Sequence, residues 1–212
     1  MKRFFIFLYS LTVIIFSSCS QNKAETGDLQ SNNHKKETAM KNEEIKTLVV
    51  FFSHAGENYS VGNIEVGNTK IVADYISKRT GAAQFEIVCE KDYDMPYMQL
   101  IELAKKEAKD GELPAFKGKI DNIEQYDTIF IGGPVWWGTY PQVMFTFFKE
   151  YDLSGKVIIP FTTHEGSGLA SCVDDVEKAY PKAEVKEGFS LYGHEVRQAE
   201  SKVNKWLEAL GF

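Results

Sequence analysis

No stretch of this 212-residue chain is apolar for long enough to cross a bilayer. The longest such run, Phe4 to Phe16, falls short of the ~20 residues that a spanning helix requires, so a membrane span is not expected. Positive charge is also scarce. Lysine and arginine number 24 against 30 aspartates and glutamates, the net charge is −6, and no basic stripe interrupts that balance. Nucleic acid is therefore excluded as a partner. A phosphate-binding lysine is missing where one would matter most. Gly62-Asn-Ile-Glu-Val-Gly67-Asn68-Thr69 imitates the spacing of a triphosphate-binding loop, but Asn68 stands at the lysine position and the preceding strand ends about ten residues too early. Nucleotide triphosphate hydrolysis is excluded with it. No internal repeat is present.

What the sequence does contain begins with a leader. Lys2-Arg3, the short apolar run and Ser17-Ser18 read as a signal peptide over residues 1–18, to be set aside from the fold. Cys19 directly follows the small residues, an arrangement that resembles the lipobox of bacterial lipoproteins. It implies lipidation at Cys19 and an exported protein of the cell envelope, held at a membrane by its lipid alone. Ordinary secretion with an incidental cysteine is the plain alternative. Residues 19–44 are Gln, Asn, Lys, Glu, Thr and Ser with almost nothing apolar, and read as a flexible tether. Residues 45–212 suit one domain, and loss of Lys2 and Arg3 would take the net charge from −6 to −8. Cys89 and Cys172 then remain. An oxidising compartment permits a disulfide, but they fall on separate elements, so two buried free thiols are expected.

Strand and helix signals alternate five times. Strands are expected at 47–52, 84–89, 127–131, 156–161 and 184–191. Helices are expected from Gly67-Asn68-Thr69 onward, at 98–109, from Pro141, after Gly168 and over 196–210. Such alternation implies an α/β fold: a doubly wound three-layer sandwich with a five-stranded, mainly parallel sheet. Ligands bind such sheets beyond the carboxyl ends of their strands, where three distinctive loops would meet.

The first loop is Ser53-His-Ala-Gly56 with Gly67-Asn68-Thr69. It reads as a cradle for one terminal phosphate, held by hydroxyls and the amides of a helix N-terminus. Alternatively Asn68 is a simple helix cap and Ser53 a turn residue. The second loop follows Gly132-Gly133 and runs Pro134-Val135-Trp136-Trp137-Gly138-Thr139. At least one tryptophan is expected to stack on, or wall off, a flat aromatic ligand, with Gly132 and Gly133 letting the backbone approach it. The third loop, Thr162 to Gly168, offers hydroxyls and amides to ring carbonyls. His164 and Glu165 read as solvated surface, not as an acid–base pair, and His54 as a non-catalytic loop residue touching backbone.

Taken together these residues resemble the flavodoxin family, and more closely a flavodoxin-like branch of bacterial FMN proteins. The resemblance covers about 47–212. It is carried by Phe-Phe-Ser-His-Ala-Gly with Gly-Asn-Thr-Lys-Ile-Val-Ala, by Gly-Gly-Pro-Val-Trp-Trp-Gly-Thr-Tyr-Pro, and by Thr-Thr-His-Glu-Gly-Ser-Gly. It implies strand order 2-1-3-4-5 and FMN as cofactor. Ser53, Ala55, Asn68 and Thr69 would hold its phosphate, while Pro134, Val135, Trp136, Trp137, Gly138 and Thr139, with Thr163, His164, Gly166, Ser167 and Gly168, would frame its ring. Two departures stand out: Glu57 to Val66 is inserted in the phosphate loop, and the third loop lacks the tyrosine that commonly covers the outer flavin face. The implied function is redox, as an electron carrier or an NAD(P)H-dependent reductase of quinone-like acceptors, with a redox protein, a nicotinamide or a quinone as partner. The alternative is a non-catalytic lipoprotein that binds flavin or a phosphorylated ligand.

Overall fold

The computed structural model describes residues 46–212. The leader, Cys19 and the tether to residue 44 lie outside the described residues. Among those described, no helix is long and apolar enough to cross a membrane.

Strand β1, Thr47–Phe51, is buried at every position. Leu48 and Val50 enter one core and Val49 and Phe51 the other, so both faces of the strand are covered. That is why the segment reads as a continuous apolar run rather than an alternating one. The chain continues through a small hairpin, β2 (Gly56–Asn58) and β3 (Gly62–Ile64), into α1 (Asn68–Thr80). Then come β4 (Ala83–Glu86), β5 (Val88–Cys89), α2 (Tyr97–Asp110), β6 (Phe116–Lys117), β7 (Thr128–Pro134) and α3 (Gln142–Glu150). The last elements are β8 (Val157–His164), α4 (Cys172–Ala179), β9 (Glu184–Val185), β10 (Phe189–Tyr192) and α5 (Glu200–Ala209).

The main sheet runs β4-β1-β7-β8-β10 with every neighbouring pair parallel. Numbered by the five expected strands, this is 2-1-3-4-5. Helices α2, α3 and α4 contribute Leu100, Val143, Met144, Phe147 and Val176 to the core on one face. On the opposite face α1 and α5 supply Val72, Ile76, Val203 and Leu207. Cys89 and Cys172 are buried free thiols, and burial raises the pKa of both.

Several boundaries differ from expectation. The second strand is not continuous over 84–89. Ile87 N–H donates to the Phe51 carbonyl, after which the chain leaves the sheet and β5 pairs antiparallel with β6. The fifth strand is likewise split. Val157 pairs with Glu184 but Phe161 with Phe189, so the edge strand holds one residue more than β8 and bulges between its two parts. Strands β7 and β8 run three residues further than read, through Pro134 and His164. Gly132 and Gly133 explain the first extension. A Cβ at Gly132 would lie 2.0 Å from the Phe161 ring, and one at Gly133 would lie 2.8 Å from Tyr140. The pair therefore makes room for aromatic packing across the sheet, a structural use distinct from the expected backbone approach to a ligand. The C-terminal helical periodicity is shared by a 3-10 turn, Gly193–Gln198, and α5.

Candidate functional site

The carboxyl ends of β1, β7 and β8 and the start of α1 bound one cavity of about 350 Å³. One part of its wall is polar, from Asn68, Thr69, Thr163, Glu165 and Ser167, and another is apolar and aromatic, from Tyr59, Tyr97, Leu100, Ile101 and Trp137. The buried hydroxyls of Thr69 and Thr163 lie 2.8 Å apart, joining α1 to the end of β8. α1 carries no acidic residue in its first turn, so its positive end is not neutralised from within.

Of the expected site residues, Asn68, Thr69, Pro134, Val135, Trp136, Trp137, Thr163, His164 and Ser167 line this cavity. The others have different placements. Ser53 is spent on the helix: its Oγ accepts the Lys70 N–H at 3.0 Å, capping α1 from the preceding loop. That contact needs Gly67, because a Cβ there would lie 2.2 Å from Ser53 Oγ. Ala55 is exposed and lines, with Ser53, a separate depression behind the loop. Gly138 and Thr139 build the turn that aims the tryptophans. Trp136 and Thr139 exchange both backbone bonds (2.8 and 3.2 Å), while Trp137 (φ 53°) and Gly138 (φ 85°) occupy the left-handed positions of a two-residue hairpin turn. Thr139 Oγ1 donates to Asp175 Oδ2 at 2.6 Å, and the Gly138 carbonyl accepts from Ser171. Gly166 N–H donates to His164 Nδ1, and the Gly168 carbonyl accepts from Thr162, so these two glycines shape the third loop from outside the cavity wall.

The turn gives its two indoles different neighbours. Trp136 packs edge-on against Phe52 (5.5 Å), Tyr93 (5.5 Å) and His54 (5.8 Å), so only part of it faces the cavity. Trp137 is 52 % exposed, donates its indole N–H to the Ile101 carbonyl at 2.9 Å and lies under Lys105 Nζ.

The expected backbone contact of His54 is present, at Glu57, whereas the reading of His164 and Glu165 is corrected. His54 is buried, and its Nε2 has no hydrogen-bond partner among the described residues. Burial lowers its pKa, opposed in part by the Glu57 backbone and the Asp94 charge. His164 and Glu165 are not merely solvated. His164 is half-buried, which lowers its pKa, and Glu165 bonds to His194, accepting the His194 N–H at 2.9 Å and meeting its Nδ1 at 2.6 Å.

Residues of the cavity that the sequence did not reveal come from the insertion and from α2. Tyr59, at the tip of the inserted hairpin, stacks on Tyr97 with 6.1 Å between ring centroids. Glu57 accepts the Tyr97 N–H at 2.8 Å and so caps α2 from the hairpin. The length of the insertion was the available signal. Its contact with α2 joins segments about 40 residues apart and leaves no mark on either.

A family model described as flavodoxin matches residues 46–210. The chain belongs to the flavodoxin family. It is similar to a candidate flavoprotein from Bacteroides eggerthii DSM 20697, at 29 % identity and a TM-score of 0.63, covering 79 % of this chain and 98 % of that one. A second candidate flavoprotein, from Bacteroides uniformis ATCC 8492, matches at 27 % identity and a TM-score of 0.64, covering 78 % of this chain and 99 % of that one. At 22 % identity and a TM-score of 0.56, a Lactobacillus acidophilus NCFM flavoprotein in complex with FMN shares the fold over 77 % of this chain and 99 % of its own. No curated protein matches the sequence.

Proposed function

We propose that the cavity holds FMN and that the protein is an FMN-dependent redox protein, acting as an NAD(P)H-dependent reductase of quinone-like acceptors. The observation that carries this reading is the meeting of three loops and a helix N-terminus on one cavity in a member of the flavodoxin family. The fold neighbour described as an FMN complex supports it.

The residues present fit the cofactor. Asn68, Thr69 and the open positive end of α1 suit a phosphate. Thr163 to Ser167 offer hydroxyls and amides to ring carbonyls, and Pro134 to Trp137 a flat apolar wall. A buried, unpartnered His54 Nε2 beside the cavity is the kind of group a ligand satisfies. Ser53 is already committed to Lys70, which moves the phosphate role toward Asn68 and Thr69. When bound, FMN supplies the electron and hydride chemistry, and the protein supplies position and electrostatics. Reductase is preferred to carrier because Tyr59, Tyr97 and Trp137 offer aromatic surface for a second planar ring, and the third loop has no tyrosine to cover the flavin. The test is to titrate residues 45–212 with FMN and add NADH or NADPH without oxygen. Rapid bleaching of the flavin bands is expected. Bound flavin that bleaches only with dithionite overturns the reductase in favour of a carrier, and failure to bind FMN favours a non-redox binding protein.

We also propose attachment to an envelope membrane through lipid at Cys19, with the acidic domain on a tether and suited to a basic redox partner. Cells fed a labelled fatty acid should label the native chain but not Cys19→Ala. Equal labelling of both overturns the anchor.

A further inference from the structure

The mouth of the cavity carries a carboxylate–imidazole pair drawn from two distant segments. Glu165 follows β8, and His194 lies in the 3-10 turn after β10. Glu165 is a wall residue of the cavity with a side chain only 14 % exposed, whereas the His194 side chain is 52 % exposed. One carboxylate oxygen accepts the His194 backbone N–H at 2.9 Å, and the other lies 2.6 Å from His194 Nδ1. The backbone bond fixes the carboxylate, so the second oxygen is held against the ring in one geometry. A carboxylate needed only to cap the turn would be served by the backbone bond alone. The Nδ1 contact leaves Nε2 of an exposed ring free to exchange protons with water. A buried oxygen on the cavity wall is thereby connected to solvent through one imidazole.

We propose that Glu165 and His194 form a proton relay from solvent into the cavity. The inference rests on the flavin reading above and extends it to an acceptor class whose reduction consumes protons. Conversion of a quinone to a hydroquinone takes up two electrons and two protons. Bound FMN would supply both electrons and one of the protons, as a hydride drawn from the reduced nicotinamide. The second proton comes from the pair: His194 Nδ1 gives its proton to the Glu165 carboxylate, Glu165 hands it to the other quinone oxygen, and His194 recovers one from water at Nε2. NAD(P)H, a proton and the quinone thus become NAD(P)+ and hydroquinone. The surrounding groups compete little for this route. Tyr192 of β10 lies with its ring 5.1 Å from that of His194. His164 keeps its Nδ1 on the Gly166 N–H, and Lys202 of α5 faces Glu195.

The experiment compares two oxidants on the FMN-loaded protein, prereduced by dithionite. A soluble benzoquinone needs the proton, and ferricyanide accepts electrons without one. In both Glu165→Gln and His194→Gln, the ratio of the quinone rate to the ferricyanide rate should fall by about 100-fold, the scale of general acid catalysis. Added imidazole should restore part of the ratio in His194→Ala. A second readout needs no flavin: nitrogen-15 NMR of the apoprotein should show an Nδ1-bound proton on His194 that is lost in Glu165→Gln. A ratio unchanged in both Gln variants, or an Nδ1 resonance indifferent to Glu165, overturns the relay. Failure of the native protein to bind FMN overturns the flavin reading instead, and the NMR comparison still decides whether the pair exists.

Discussion

Trp136 and Trp137 are adjacent in the chain and opposite in their physical roles. Trp136 is wedged edge-on among Phe52, Tyr93 and His54, so Trp136→Ala should destabilise the fold by about 3 kcal/mol, read from urea unfolding. Trp137 is half exposed and anchored by one hydrogen bond, so Trp137→Ala should cost only about 1 kcal/mol of stability. If its ring walls the flavin, that variant should weaken FMN about tenfold in a fluorescence titration. The buried His54 and half-buried His164 make a different prediction. Folding lowers the pKa of His54 and His164, so below about pH 6.5 the unfolded chain binds more protons than the folded one and stability falls with pH. The urea midpoint should therefore drop between pH 8 and pH 5.5, and His54→Gln should flatten part of that drop. A midpoint that stays constant or rises would remove burial as the dominant influence on these rings. None of these distinctions could be read locally. Two adjacent indoles differ because a two-residue turn closed by a single Trp136–Thr139 bridge, with positive φ at Trp137 and Gly138, gives them different neighbours.

Among the elements, the central strands were the most legible and the edges the least. β1, β7 and β8 are covered on both faces, so each carries a continuous apolar run that announces it. The edge segments have weaker constraints. Gln84–Cys89 and Glu184–Leu191 look like single strands but each divides, because nothing in a short apolar stretch says which neighbour its amides will meet. The two glycines near the end of β7 carry a prediction at this scale. Gly132→Ala would place a methyl group 2.0 Å from the fully buried Phe161 ring, within a sheet whose backbone cannot move aside. It should cost more than about 2 kcal/mol and lower the thermal midpoint, checked by calorimetry. The inserted hairpin is tied to α2 through the Glu57 carboxylate. Glu57→Ala should cost about 1 kcal/mol, the usual value of a helix cap, and hydrogen exchange should show faster opening at Tyr97 and its neighbours.

For the whole molecule, cofactor binding and stability are linked. If FMN binds only the folded domain, flavin at a hundred times its dissociation constant should add about 2.7 kcal/mol of stability, visible as a rise of several degrees in the thermal midpoint. A midpoint indifferent to FMN would argue against a preformed site. The strand order was implied by the family resemblance of the loop motifs, while the sequence by itself determined the layered α/β architecture, the two thiols left free, and the three loops that face one edge of the sheet. Those properties follow from periodicity and burial, which act residue by residue along the chain. Tertiary structure alone decided that Ser53 caps α1 instead of facing the cavity, that Glu165 is partnered by His194 rather than its neighbour His164, and that Tyr59 from an insertion meets Tyr97. Each of those contacts joins segments brought together only when distant strands pair or helices pack onto the sheet, so no local pattern of sequence could record them.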